Sequence, residues 1–285
     1  MQHLKRGAGI FVIGYLLNIC RFLIPYLVGY AITGDYEQYI DLLLYKVLGN
    51  DILTFAGLAM MLMALFIKLK ISSVVLVIMG LVMSFAGTQL NGIDVGNPLG
   101  NIFLGYVIGT EDAAGKVFSD FPILNWMLFP LCGYVFGGIL KKVKDKKLFY
   151  LTFSLPAIMI AVVYWVYGIS QEVGMFGEGQ NCYYHMIFRD ALGSLALTVG
   201  MIGVYYFVQK ILPKKWMDCA CRISANITTV YCIHWVLVTV SVNVVIYIAR
   251  GTQELAPWIV MILGSAISII SIIAANYYKQ WKTRG

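Results

Sequence analysis

The sequence predicts an all-α, polytopic integral membrane helix bundle, and three observations carry that prediction. First, 60% of the 285 residues are hydrophobic and only 12% are charged, with a mean hydropathy of +0.79. A soluble domain carries about a quarter charged residues. Second, apolar stretches of spanning length, roughly 17–25 residues each, recur at 7–32, 51–67, 72–90, 121–140, 148–170, 184–212, 225–249 and 257–278. Third, the basic residues cluster in alternate connections, as the positive-inside rule requires of about eight spans with both termini inside.

Each span has a local signature. The first begins in "MQHLKRGAGIFVIGYLLN", whose apolar run is too long for a cleaved leader and lacks a small-residue cleavage site. The second is the shortest and opens at Asp51, where a carboxylate caps a helix and suits its dipole. The fourth opens at "DFPILNW", with Pro122 suited to a first helical position and Trp126 one turn into the membrane. The first and sixth are long enough to tilt. "GYVFGG" at 133–138 and "GSLALTVG" at 193–200 are small-residue runs that let helices approach closely.

Placing the N-terminus inside puts 16 of the 21 Lys and Arg residues on one side, at positions 5–6, 68–70, 141–147, 210–222 and 279–284. Only Asp145 and Asp218 of the 14 acids accompany them. The net charge of +7 therefore reports topology, and no nucleic-acid partner follows from it. The connections on that inner side are short, so no soluble catalytic module is expected. The long ones are outer. Residues 33–50 follow helical spacing and predict an amphipathic interfacial helix. Residues 91–120 have an apolar middle, "IFLGYVIG", that suits a re-entrant or interfacial segment.

Cys20, Cys132 and Cys232 lie within spans, Cys219 and Cys221 inside, and Cys182 alone outside with no evident disulfide partner. Cys219-x-Cys221 has no neighbouring ligands to make a metal site, so no metal is expected. The chain carries no Walker A, HExxH or GxSxG pattern.

Ionisable groups at membrane depth mark candidate sites. Arg21 is too deep in the first span to snorkel easily. It either clamps an anionic substrate group or pairs with an acid such as Asp190 or Asp51. In "YYHMIFRDALG", a helix would place His185 and Arg189 on one face, with Asp190 about 100° further round. His, Arg and Asp at a membrane mouth beside paired tyrosines suit a polar, sugar-like ligand. His234 lies roughly 13 Å from the inner end of the seventh span, on one face with Tyr231 and Asn226. There it either donates to a carbonyl or lines a polar vestibule.

"KRGAGIFVIGYLLN", "NDILTFAGLAMMLMALFIKLKIS", "FPILNWMLFPLCGYVFGGILKK", "YYHMIFRDALG" and "ISANITTVYCIHWVLV" occur in an order that resembles membrane acetyltransferases related to heparan-alpha-glucosaminide N-acetyltransferase. The sequence also resembles the wider bacterial acyltransferase superfamily. The resemblance implies a single membrane domain over 1–285 that moves an acetyl group from cytoplasmic acetyl-CoA to a hydroxyl or amine of a carbohydrate or glycolipid. It implies a multi-pass location in a bacterial plasma membrane, with a homo-oligomer open.

Such chemistry needs a general base and cations for the CoA phosphates. Lys141, Lys142 and Arg222 are the candidates for CoA. His185, Asp190 and His234 are the candidates for catalysis. Arg21, Asp51, Trp126, Arg189 and Tyr231 are the candidates for the acceptor. The chain departs from the family at its start, where about two further helices with an Asp-x-x-Arg-Gly-like segment and the catalytic histidine are expected. None of His3, His185 and His234 matches that position, so the chain is read either as N-terminally incomplete or as a divergent member that has lost the family reaction, and the family's base is not transferred. Two alternatives stand beside the enzyme: a transporter or flippase for a polar lipid or sugar, and a catalytically inert membrane partner.

Overall fold

The computed structural model describes residues 2–41, 43–172, 174–177 and 181–284; the side chains of Asn181, Cys182, Thr283 and Arg284 lie outside the description. The predicted isolation of Cys182 therefore falls outside it too. The chain is 80% helical, and no strand occurs among the described residues.

In chain order, α1 (Gln2–Asn18) runs through a π-helical turn (Ile19–Leu23) into α2 (Ile24–Thr33). Two short helices follow, α3 (Tyr36–Tyr39) and α4 (Leu43–Leu48), then α5 (Ile52–Lys68) and α6 (Ser73–Gln89). After α7 (Pro98–Leu104) come α8 (Ile123–Trp126), α9 (Leu128–Lys142), α10 (Lys146–Gln171), α11 (Asn181–Tyr184) and α12 (Phe188–Ile211). The chain ends with α13 (Lys214–Ala225), α14 (Ile227–Val238), a second π-helical segment (Thr239–Ile246), α15 (Tyr247–Arg250) and α16 (Pro257–Arg284).

Seven helices among the described residues are long and apolar enough to cross a membrane, and α6 is an eighth apolar helix of 17 residues. The protein is an integral, multi-pass membrane protein. Each of the eight predicted stretches falls largely on helix, although 121–122 and 185–187 are not helical.

The chain divides into two compact units. The first comprises Met1–Gly14 and Gly49–Ile211, the second Tyr15–Leu48 and Leu212–Gly285. In the first, Ala59, Leu76, Met127 and Leu131 form one buried cluster and Leu128, Met186 and Ala191 another. Glycine permits a close backbone approach: a Cβ on Gly57 of α5 would sit 2.6 Å from the backbone nitrogen of Phe11 on α1. In the second unit, Phe22, Tyr26, Tyr39 and Val244 form the core, and Tyr26 and Tyr39 meet edge to face at 5.6 Å.

The connection 33–50, expected from the sequence to be helical, carries α3 and α4. Asp35 caps α3 by accepting from the Gln38 amide at 3.0 Å, and the Tyr39 hydroxyl donates to the Asn243 carbonyl at 3.0 Å. Tyr39 and Tyr45 are buried.

Candidate functional site

The loop between α6 and α8 is rich in Gly, Asn and Asp, which fold it through local side-chain hydrogen bonds. Asn97 caps α7 by accepting from Gly100, and Pro98 occupies the first turn. Asp94 accepts from the Gly96 amide and from Asn101 Nδ2, both at 2.8 Å. These bonds hold the Asp94 carboxyl below the usual range, with the Asn101 bond contributing most. Asp112 accepts from the amides of Ala114 and Lys116. A cleft of about 300 Å³ lies here, with Asp94, Asn97, Asn101, Asp112 and Phe118 on its walls.

A chain of buried hydrogen bonds leads inward from that cleft. Thr110 Oγ1 donates to the Asn101 carbonyl at 2.8 Å, and the Thr110 amide donates to Ser119 Oγ at 2.9 Å. Ser119 Oγ lies 2.7 Å from His185 Nε2, which is also 3.1 Å from the Ser119 carbonyl. Asn91 Nδ2 donates to the His185 carbonyl at 2.9 Å, while Asn125 Nδ2 donates to Asn91 Oδ1 and to the Met186 carbonyl. Trp126 Nε1 donates to the Tyr184 carbonyl at 3.0 Å, and Thr88 Oγ1 accepts from the Phe188 amide at 2.6 Å.

These bonds correct the sequence geometry around His185. The carbonyls of Tyr184, His185 and Met186 bond to side chains of other segments, so α12 starts only at Phe188. His185 and Arg189 therefore do not share a helix face. His185 is buried, which pushes its imidazole below its ordinary value; the Ser119 carbonyl and the charges of Glu111 and Asp120 oppose that shift.

Arg189 is exposed, and Asp190 is fully buried in a separate cluster. Asp190 accepts from the Tyr164 hydroxyl and from the Met175 amide at 2.9 Å, and Arg189 also bonds to Tyr164. Gly174, at φ 60°, is required beside it because a Cβ there would fall 2.4 Å from Asp190 Oδ1.

Asp51 takes the N-cap backbone position of α5, but its side chain makes no cap bond. Thr54 Oγ1 bonds the Asp51 carbonyl at 2.7 Å and Asn50 Oδ1 at 2.9 Å, and Asn50 in turn donates to the Phe121 carbonyl. Asn50, Ser119, Asn91 and Asn125 are members of the network that sequence reasoning missed. The signal for the three asparagines was their polarity at the edges of apolar runs; Ser119 had none.

At the opposite end of α9 lies a cleft of about 400 Å³, lined by Ser73, Gly133, Gly137, Gly138, Lys141 and Lys142 among others. A Cβ on Gly133, Gly137 or Gly138 would meet nothing within 4 Å, so these glycines border the cleft and make no close helix contact. Both lysines are exposed in the last turn of α9.

The remaining candidates belong to the second unit. Arg21 is buried within the first π-helical turn, its guanidinium 4.3 Å from the Phe22 ring centroid and 5.1 Å from that of Trp235. Tyr231 and His234 both lie against Trp235, at 6.2 and 6.1 Å between ring centroids. Trp235, not singled out in the sequence, thus joins Arg21, Tyr231 and His234. Asn226 ends α13, and its side chain donates to Asn276 Oδ1 at 3.3 Å. Arg222 lies exposed on α13, in a different unit from Lys141 and Lys142. Among the described residues no group of three or more His, Cys, Asp and Glu is placed to hold a metal.

No protein-family model, no curated protein and no solved structure matches this chain.

Proposed function

We propose that the protein is a membrane-embedded acyltransferase that takes an acetyl group from acetyl-CoA and delivers it to a hydroxyl or amine of a carbohydrate or glycolipid. The supporting observation is the α9 cleft: two lysines at its mouth and a glycine-walled groove behind them. Its volume lies in the ordinary range for small-molecule sites. Lys141 and Lys142 offer charge-assisted bonds to the phosphates of CoA. Gly133 lies two turns from Lys141, about 12 Å along the helix, and the bare glycine face admits a slender thioester arm over that distance.

The reading includes eight spans with both termini inside, in a bacterial plasma membrane. The lysine cleft then faces the cytoplasm, where acetyl-CoA is made, and the Asp94–Asn101 cleft faces outward with His185 behind it. Acyl transfer needs a base that is neutral before it acts. Burial keeps the His185 imidazole neutral, so it can take the acceptor's proton as the acceptor attacks the thioester carbonyl. The CoA thiolate leaves and is protonated. Arg189, Trp126 and Asp51 belong to the acceptor side. His234, Tyr231 and Arg21, gathered by Trp235, are a second polar group at membrane depth.

The test is transfer from radiolabelled acetyl-CoA in proteoliposomes supplied with amino sugars and glycolipids. Lys141→Ala with Lys142→Ala should raise the KM for acetyl-CoA about tenfold or more with kcat retained, as expected when uniform binding is removed. Absence of both CoA binding and acetyl transfer by the folded wild-type protein would overturn the reading.

A further inference from the structure

The stretch between α12 and α14 reads from its sequence as a charged connection, yet it folds as the three-turn helix α13. No residue of α13 is buried, and Trp216 is 68% exposed. At about 100° per residue, Trp216, Met217, Ala220 and Ile223 fall on one side, with Cys219 at its border. Lys214, Lys215, Asp218 and Arg222 fall on the other. Three cations and one acid thus back an apolar face on which Trp216 and Ala220 are exposed and Met217 and Ile223 are half-buried.

The helix is held at both ends by apolar spanning helices, because α12 stops at Ile211 and α14 starts at Ile227. A short helix so tethered, with Trp on one face and Lys and Arg on the other, has the pattern of an interfacial membrane helix. A protein partner fits poorly. One face of a helix about 18 Å long falls well short of the roughly 800 Å² per partner of a stable interface.

We propose that α13 docks on a membrane surface of anionic phospholipid. Trp216 and Ile223 enter the boundary of the acyl chains, and Lys214, Lys215 and Arg222 lie among the headgroups. Each cation brought to an anionic surface strengthens partition by about fivefold. This inference does not depend on the enzyme reading, and it gives Arg222 a lipid contact instead of a CoA contact. Because α13 meets α14 at Asn226, docking also fixes the start of the helix that carries Tyr231, His234 and Trp235.

The experiment is amide hydrogen exchange on the full chain in nanodiscs of phosphatidylcholine, alone or mixed with phosphatidylglycerol. Peptides covering 212–226 should exchange at least about fivefold more slowly in the anionic discs, and high salt should remove the difference. The combined variant Lys214→Gln, Lys215→Gln and Arg222→Gln should abolish it while α10 and α12 keep wild-type protection, which shows that the fold survives. Trp216→Ser should speed exchange in both lipids. Equal exchange in the two compositions, or protection that follows the number of protein copies per disc instead of lipid charge, would overturn the proposal.

Discussion

Ser119 Oγ lies 2.7 Å from His185 Nε2, and the same hydroxyl accepts from the Thr110 amide. One small side chain therefore joins the α6–α8 loop to the segment leading into α12. Both residues are buried, so removing the hydroxyl leaves polar groups without partners rather than wet. Ser119→Ala should cost about 1–3 kcal/mol, measured as a lower midpoint of thermal unfolding in detergent. Protease cleavage within 91–120 should accelerate at the same time. An unchanged midpoint would show that the pair is not structural.

The same pair sets a pH dependence. The folded His185 has a lowered pKa, chiefly through burial, so the unfolded chain binds its proton more readily. The stability it contributes is complete above the unfolded value of about 6.5 and is lost as pH falls from there through the lower folded value. Unfolding midpoints should drop over that window in the wild type. In His185→Gln, which keeps a polar side chain but does not titrate, the drop should flatten. A parallel slope in both proteins would assign the loss to other groups.

Asp190 gives a different outcome from His185. Its carboxylate is fully buried and accepts from both Tyr164 and the Met175 amide. Asp190→Ala should destabilise by about 1–3 kcal/mol, the cost of stranding those donors. Tyr164→Phe removes one donor and should cost less. If Asp190 serves only this anchor, Asp190→Asn should restore most of the stability and leave acceptor use intact. A kcat loss in a stably folded Asp190→Asn protein would instead assign it to catalysis.

The glycines separate packing from groove. A Cβ on Gly57 meets backbone of α1 at 2.6 Å, which cannot turn aside, so Gly57→Ala should cost about 1–3 kcal/mol through overpacking. Gly137 faces open space, and Gly137→Ala should be neutral or slightly stabilising through better helix propensity. Gly137→Leu should also fold, because nothing lies within 4 Å of its Cβ, but it fills the cleft behind Lys141. It should therefore raise the KM for acetyl-CoA while leaving the unfolding midpoint near that of the wild type. Normal acetyl-CoA use by that variant would exclude the groove as the donor path.

The spans were legible because hydropathy integrates over many residues. The predicted stretch at 148–170 became α10 at 146–171, and that at 51–67 became α5 at 52–68. What failed was local geometry decided by distant partners. The i,i+4 relation of His185 and Arg189 assumes a helix, and Asn91, Asn125 and Trp126 draw off the carbonyls that would have continued it. Ser119 carried no signal at all, since a serine between Phe118 and Asp120 reads as an ordinary loop residue. Helix α13 was legible in principle, because its apolar residues recur at three and four, but a window set for spanning length passes over it. The π-helical segment at 19–23 runs up to Pro25, which has no N–H to continue a regular ladder and whose ring crowds the Arg21 carbonyl, whereas that at 239–246 has no proline or other sequence mark.

Packing around the first π-helical turn yields the last prediction. The Arg21 guanidinium lies over both Phe22 and Trp235, and a cation over an aromatic face is worth about 0.5–2 kcal/mol, more when desolvated. Trp235→Phe keeps a π face and apolar bulk, so it should lose only part of that amount. Trp235→Ala removes the face that also meets Tyr231 and His234, and because Trp235 is 37% exposed it should cost about 1–3 kcal/mol, less than a core truncation. Arg21→Met keeps the length of the side chain but not the charge. If the cation–π contact is the main coupling, a double-mutant cycle of Arg21→Met with Trp235→Ala should return an interaction energy of about 0.5–2 kcal/mol. Additive losses would mean that Arg21 and Trp235 are neighbours without being energetically joined.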